Sequence, residues 1–78
     1  MINNKIKPMN KFEKGVNANR IMLMLVQNPQ IRVADVASML YLNKGKARRL
    51  LDWMVYQGYI KKRTIKYIGN ANLNVYTR

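Results

Sequence analysis

Seventy-eight residues carry 15 Lys or Arg against 3 Asp or Glu, a net charge of +12, with 49% hydrophobic residues. Cysteine and histidine are both absent, which excludes disulfides, thiolate or imidazole catalysis and the usual zinc ligands. A chain this short makes one small domain with a thin core, and its field favours a polyanion: DNA, RNA or an anionic membrane.

Residues 1–16 read as a basic flexible N-terminal arm. Pro8 interrupts an early helix, and Gly15 separates the arm from the rest of the chain. Helix 1 is expected from about Asn17 to Asn28, capped by Asn17 or Asn19 and ended by Asn28-Pro29. Ile21, Met24, Leu25 and Asn28 form one stripe. Met22, Leu23 and Val26 lie off it and are apolar too, so this helix must bury more than one face. That points to burial within a bundle or to a homodimer interface. Its apolar run, Ile21 to Val26, is far short of the roughly 20 residues that span a bilayer. The N-terminus also lacks a signal-peptide core, so no membrane association and a cytoplasmic, nucleoid-associated location are expected.

Ile31-Arg32-Val33 alternates as a short extended piece. Helix 2 comes next, from Val33 or Ala34 to Tyr41, with Val36, Ala37 and Leu40 at helical spacing. Asn43 is placed to cap helix 3, expected from Lys44 to Gln57. Ala47, Leu50, Leu51, Met54 and Val55 form its buried stripe, and Gly58 suits a left-handed C-terminal cap. The period then changes to two. Tyr59 to Ile68 reads as a strand, Gly69-Asn70-Ala71-Asn72 as a turn, and Leu73 to Arg78 as the returning strand of a hairpin. Charge is uneven: residues 43–78 hold nine basic residues against one acid, and residues 1–42 hold six against two.

Enzymatic chemistry has little to stand on. Glu13, Asp35 and Asp52 are the only carboxylates, and no pair has acid–base or metal spacing. Asp35 suits the first turn of helix 2, and Asp52 suits an ion pair with Arg48 or Arg49. There is no P-loop, no Ser-His or Cys-His set, and no cofactor is expected.

Three helices and a C-terminal hairpin, with a short strand between helices 1 and 2, resemble the winged helix-turn-helix family, an α+β fold. Val33-Ala34-Asp35-Val36-Ala37-Ser38-Met39-Leu40 is similar to that family's helix 2. Lys46 to Ile60 is similar to its recognition helix and to the L-x-x-x-G-x-I lead into the wing, with Met54 where Leu is usual. Val75-Tyr76-Thr77-Arg78 resembles the aromatic final strand. The resemblance covers roughly residues 18–78, and the order and spacing of its motifs are more specific than any one of them.

The resemblance implies that the N-terminal part of helix 3 faces the DNA major groove. The matching positions are Asn43, Lys44, Gly45, Lys46, Arg48 and Arg49, and Arg49 falls where the family often has a DNA-contacting arginine. The residues alone point the same way. With the apolar stripe inward, these cations project outward, where Arg can fork onto guanine or phosphate and Lys can meet phosphate. Gly45 permits close backbone approach at a helix start that favours phosphate. Lys61, Lys62, Arg63 and Lys66 supply a basic wing. Alternation puts Lys61 and Arg63 on one face and Lys62 and Lys66 on the other. Asn70, Asn72 and Asn74 read as turn composition, with a minor-groove role as the alternative. Arg32 and Lys14 could add backbone contacts. Trp53, Tyr56, Tyr59, Tyr67 and Tyr76 read mostly as core or hairpin packing, with stacking on single-stranded bases as the alternative, and Trp53 is expected beneath the wing or in a dimer contact.

The expectation is a sequence-specific double-stranded DNA-binding protein, a small homodimeric transcriptional regulator. No small-molecule effector is expected in so short a chain. Abundant asparagine, lysine and isoleucine are consistent with an AT-rich phage, viral or plasmid source. Two other readings remain open: a winged-helix module that binds transcription or replication machinery, and an RNA or single-strand binder.

Overall fold

The computed structural model describes residues 9–66, 69 and 72–78. The element order is α1 (Lys11–Gln27), β1 (Gln30–Ile31), α2 (Val33–Met39), α3 (Lys44–Tyr56), β2 (Lys61–Lys66) and β3 (Asn72–Thr77). This is the topology of a winged helix: three helices, then an antiparallel hairpin in a three-stranded sheet of order β1-β3-β2.

α1 begins at Lys11 rather than near Asn17. The cause is a capping box. The Glu13 amide donates to Asn10 Oδ1 at 2.8 Å, and the Asn10 amide donates to Glu13 Oε1 at 3.3 Å. Two orphan donors are thereby satisfied, which outweighs the cost of about 1 kcal/mol for Gly15 in the helix interior. Residues 11–16 of the expected arm are therefore helical, and residues 1–8 lie outside the described residues. Asn28 ends the helix as expected; its backbone amide donates to the Met24 carbonyl. Only one face of α1 is fully buried, through Ala18, Ile21 and Leu25. Of the two readings for its second face, burial within the chain's own bundle does not hold, because Leu23 and Val26 remain exposed.

α2 stops at Met39, two positions short of the expected Tyr41. Tyr41 adopts a left-handed conformation, φ 55, and the Leu42 amide returns to the Ala37 carbonyl at 3.0 Å. This is a Schellman closure made without glycine. α3 is capped as expected: Asn43 Oδ1 accepts from the Lys46 amide at 2.8 Å. Gly58, φ 82, ends it in a full Schellman motif, with Gly58 N–H to Val55 O and Tyr59 N–H to Met54 O.

Strand β2 starts at Lys61, so Tyr59 and Ile60 precede it; Tyr67, Ile68, Asn70 and Ala71 lie outside the described residues. In the hairpin, Lys61 faces Thr77, Lys62 faces Tyr76, Arg63 faces Val75 and Lys66 faces Asn72. Ile31 of β1 pairs with Tyr76 from the other side. The core joins Ile21 and Leu25 of α1, Ile31, Val36 of α2, the inner stripe of α3, Ile60 and Tyr76. Five elements thus fix the pose of α3 relative to the wing.

Candidate nucleic-acid interface

Ala47, Leu50, Leu51 and Met54 bury one side of α3. At 3.6 residues per turn, Gly45, Arg49, Asp52 and Tyr56 then form the outermost stripe, and all four are exposed. Lys44 and Arg48 flank it on one side, Lys46 and Trp53 on the other. Lys44, Arg48 and Arg49 are exposed, and Lys46 is half-buried. Gly45 is nearly open: an added Cβ would meet only Asn43 Oδ1, at 3.3 Å. A side chain there would crowd the oxygen that caps the helix.

On the α1 side, a small cavity is lined by Met9, Lys14, Lys46, Arg49, Leu50 and Trp53. Lys14 Nζ sits 5.3 Å from the Trp53 ring centroid, a cation–π contact. Early entry into α1 brings Lys14 here. Lys14, Lys46 and Arg49 therefore converge beside one aromatic wall. Trp53 also meets Tyr59 edge-on, with centroids 5.9 Å apart. Its place is between α3 and α1, rather than beneath the wing.

On the wing side, the Tyr76 hydroxyl donates to Asp52 Oδ1 at 3.0 Å. Lys62 Nζ lies 3.8 Å from the same oxygen, and Arg48 Nε lies 3.9 Å from Oδ2. Lys62 also stands over the Tyr76 ring, 5.9 Å from its centroid. Burial is the first cause that pushes the Tyr76 hydroxyl up, to about 12, and the hydrogen bond and charge of Asp52 add to it. Asp52 resolves the expected pairing in favour of Arg48.

The wing cations divide as strand alternation requires. Lys62 and Lys66 share the face that Tyr76 turns toward the helices, and Lys61 and Arg63 share the opposite face. Lys62, expected as a wing contact, here ties the hairpin to α3. Lys66, with Thr64, Asn72 and Asn74, continues that face past Tyr76; Thr64 Oγ1 donates to Asn74 Oδ1 at 2.8 Å. Asn70 lies outside the described residues. The Arg32 guanidinium pairs with Asp35 at 3.4 Å. Asp35 also accepts from the Arg32 amide at 2.9 Å, across the start of α2.

Three of the described tyrosines belong to the surface and not to the core. Tyr41 is 94% exposed in the turn before α3, and Tyr56 is 86% exposed on its outer stripe. The position of Tyr56 is readable from its spacing opposite Ala47 and Leu51. That of Tyr41 is hidden, because its exposure depends on the closure of α2 just before it. Tyr59 is also exposed, and of the described tyrosines only Tyr76 is core.

No helix among the described residues is long and apolar enough to cross a membrane, and no group of acidic residues there could hold a metal ion. No protein-family profile, no curated protein and no solved structure matches this chain significantly.

Proposed function

We propose that the protein binds double-stranded DNA with sequence preference, as a small homodimeric transcriptional regulator. The N-terminal half of α3 enters the major groove, and the wing tracks the backbone. The observation that carries this reading is the outer surface of α3. Lys44, Arg48 and Arg49 stand exposed around a capped helix start, Lys46 flanks them, and Gly45 leaves the backbone open between them. A helix of about 10–12 Å diameter fits the major groove, and its first turns present the side chains that reach base edges.

Chemistry assigns the roles. Arg49 is central on the outer stripe and suits a fork onto guanine O6 and N7. Lys44 and Lys46 suit phosphate contacts on either side, with Lys14 beside Lys46. Arg48, held by Asp52, keeps a fixed direction. Lys61, Arg63 and Lys66 meet backbone from the wing. Asp52 repels phosphate and can accept from a cytosine amino group, so it favours base contact over non-specific backbone contact.

The test is a titration of duplex DNA, single-stranded DNA and RNA at several salt concentrations, then selection of duplexes from a random pool. Duplex preference, a steep salt slope and a recovered motif are expected. Arg49→Glu should weaken specific binding about 100-fold or more, since it removes a bidentate contact and adds repulsion. Wild-type affinity in that variant would refute the docking. The exposed Tyr41 and Tyr56 favour single-strand stacking as the second reading, and preference for single strands in the same titration would select it.

A further inference from the structure

We propose that the outer stripe of α1 is a two-fold seam that takes a second copy of this chain, pairing helix against helix about Asn19. The seam rests on the proposed homodimeric function and supplies its dimer surface, and its test requires no DNA.

Phe12, Val16, Asn19, Leu23 and Val26 fall at i, i+4, i+7, i+11 and i+14 of one continuous helix. Alternating steps of four and three are the spacing of a coiled-coil seam, and a helix buried only against its own core does not need it. The core side of α1 is already supplied by Ala18, Ile21 and Leu25. The second stripe lies on the far side, where Phe12 is 78%, Leu23 68% and Val26 66% exposed. Apolar residues this large, aligned over roughly 21 Å of helix, form a patch that solvated monomers rarely leave open.

Charge selects the occupant. Two copies of a +12 chain repel over most of their surfaces. From Ile21 to Ile31 the chain carries no charge, and none of the five seam positions is charged. Arg78 and Arg20 border this stripe beside Leu23, so two like copies meet across an uncharged centre with cations at its edge. An acidic partner would find its attraction elsewhere, on α3 and the wing.

Asn19 makes the seam self-complementary. Phe12 and Val26 lie symmetrically about it, and Val16 and Leu23 nearly so. In either helix direction, Asn19 meets Asn19 of the second copy at the two-fold axis. An asparagine amide both donates and accepts, so it can satisfy its own copy. A shifted register would bury the amide unpaired, which opposes sliding. The seam also faces away from the core side of α1.

The experiment is sedimentation equilibrium of the full chain without nucleic acid at moderate salt, at about 10–100 μM protein. A dimer is expected. Leu23→Glu with Val26→Glu should weaken self-association at least tenfold with unchanged circular dichroism, since both side chains are exposed in the single copy. A second measurement uses the absence of native cysteine. Asn19→Cys should form a disulfide-linked dimer on mild oxidation much faster than Ser38→Cys, on exposed α2. A monomeric wild type would overturn the proposal, and would leave the seam to a different protein. So would a dimer that survives both glutamates, or one in which Asn19→Cys links no faster than Ser38→Cys. DNA titration of the glutamate variant separates the two readings: half-site binding without dimerisation keeps the DNA reading whatever the seam does.

Discussion

Asp52 is the one acidic side chain on the basic half of the molecule, and three groups hold it: the Tyr76 hydroxyl, Lys62 and Arg48. The ion pairs are partly exposed and contribute a few tenths of a kcal/mol each. The buried hydroxyl matters more. Tyr76 is raised from 10.0 to about 12 by burial first and by Asp52 second. Below pH 10 the phenol is neutral in both folded and unfolded chains, and its contribution is fully present. Between pH 10 and 12 the unfolded phenol ionises while the folded one does not, so stability is lost as pH rises. The loss is on the order of 1–2 kcal/mol across that window, reduced by solvent screening at the part-buried hydroxyl. Urea denaturation at pH 8, 10 and 12 should show it. Tyr76→Phe should cost about 1 kcal/mol at pH 8 and remove most of the additional decline above pH 10. An equal decline in Tyr76→Phe would place the alkaline sensitivity elsewhere.

Among the elements, the turn between α2 and α3 carries the clearest strain. A non-glycine residue at φ 55 costs roughly 1 kcal/mol or more, and the 94% exposed Tyr41 ring gains nothing from the core in return. Tyr41→Gly is therefore expected to raise stability by about 0.5–1 kcal/mol, after the larger unfolded-state entropy of glycine is set against the relieved strain. A urea midpoint shifted upward at constant slope would show it, and a lower midpoint would mean that the ring packs. If duplex affinity falls in the same variant, the strained side chain acts on the ligand. The other element boundaries divide by how local their causes are. α3 and its stop are legible because Asn43, the i, i+3, i+4 stripe and Gly58 act within a few residues of each other. The start of α1 is harder to read, although Asn10 and Glu13 stand at capping-box spacing. Pro8 and Gly15 read as breakers, and propensity gives way to the satisfied cap. Sequence leaves open what covers the outer side of α1 for a different reason. Hydropathy marks Leu23 and Val26 as apolar but cannot say whether the chain's own core reaches them.

For the whole molecule, sequence locates the positive field on α3 and the wing, but not which cations are free. Alternation separates Lys61 and Arg63 from Lys62 and Lys66. It does not show that Lys62 returns to Asp52, because that contact joins a strand to a helix through Tyr76. Lys14 moves from the arm to the α3 surface through the early start of α1. The resulting division makes a quantitative prediction about salt. Lys14, Lys44, Lys46, Lys61, Arg63 and Lys66 have no acidic partner within 4.0 Å among the described residues. If these six meet phosphate, the plot of log affinity against log salt should fall with a slope of about −5 per copy. Arg63→Gln should reduce the magnitude by about 1 without loss of stability. Lys62→Gln should leave the slope nearly unchanged and lower stability slightly, because its charge already sits against Asp52. Equal slope reductions in the two variants would mean that Lys62 leaves Asp52 when DNA binds. Asp52 would then be a gate that opens toward phosphate rather than a fixed tie between wing and helix.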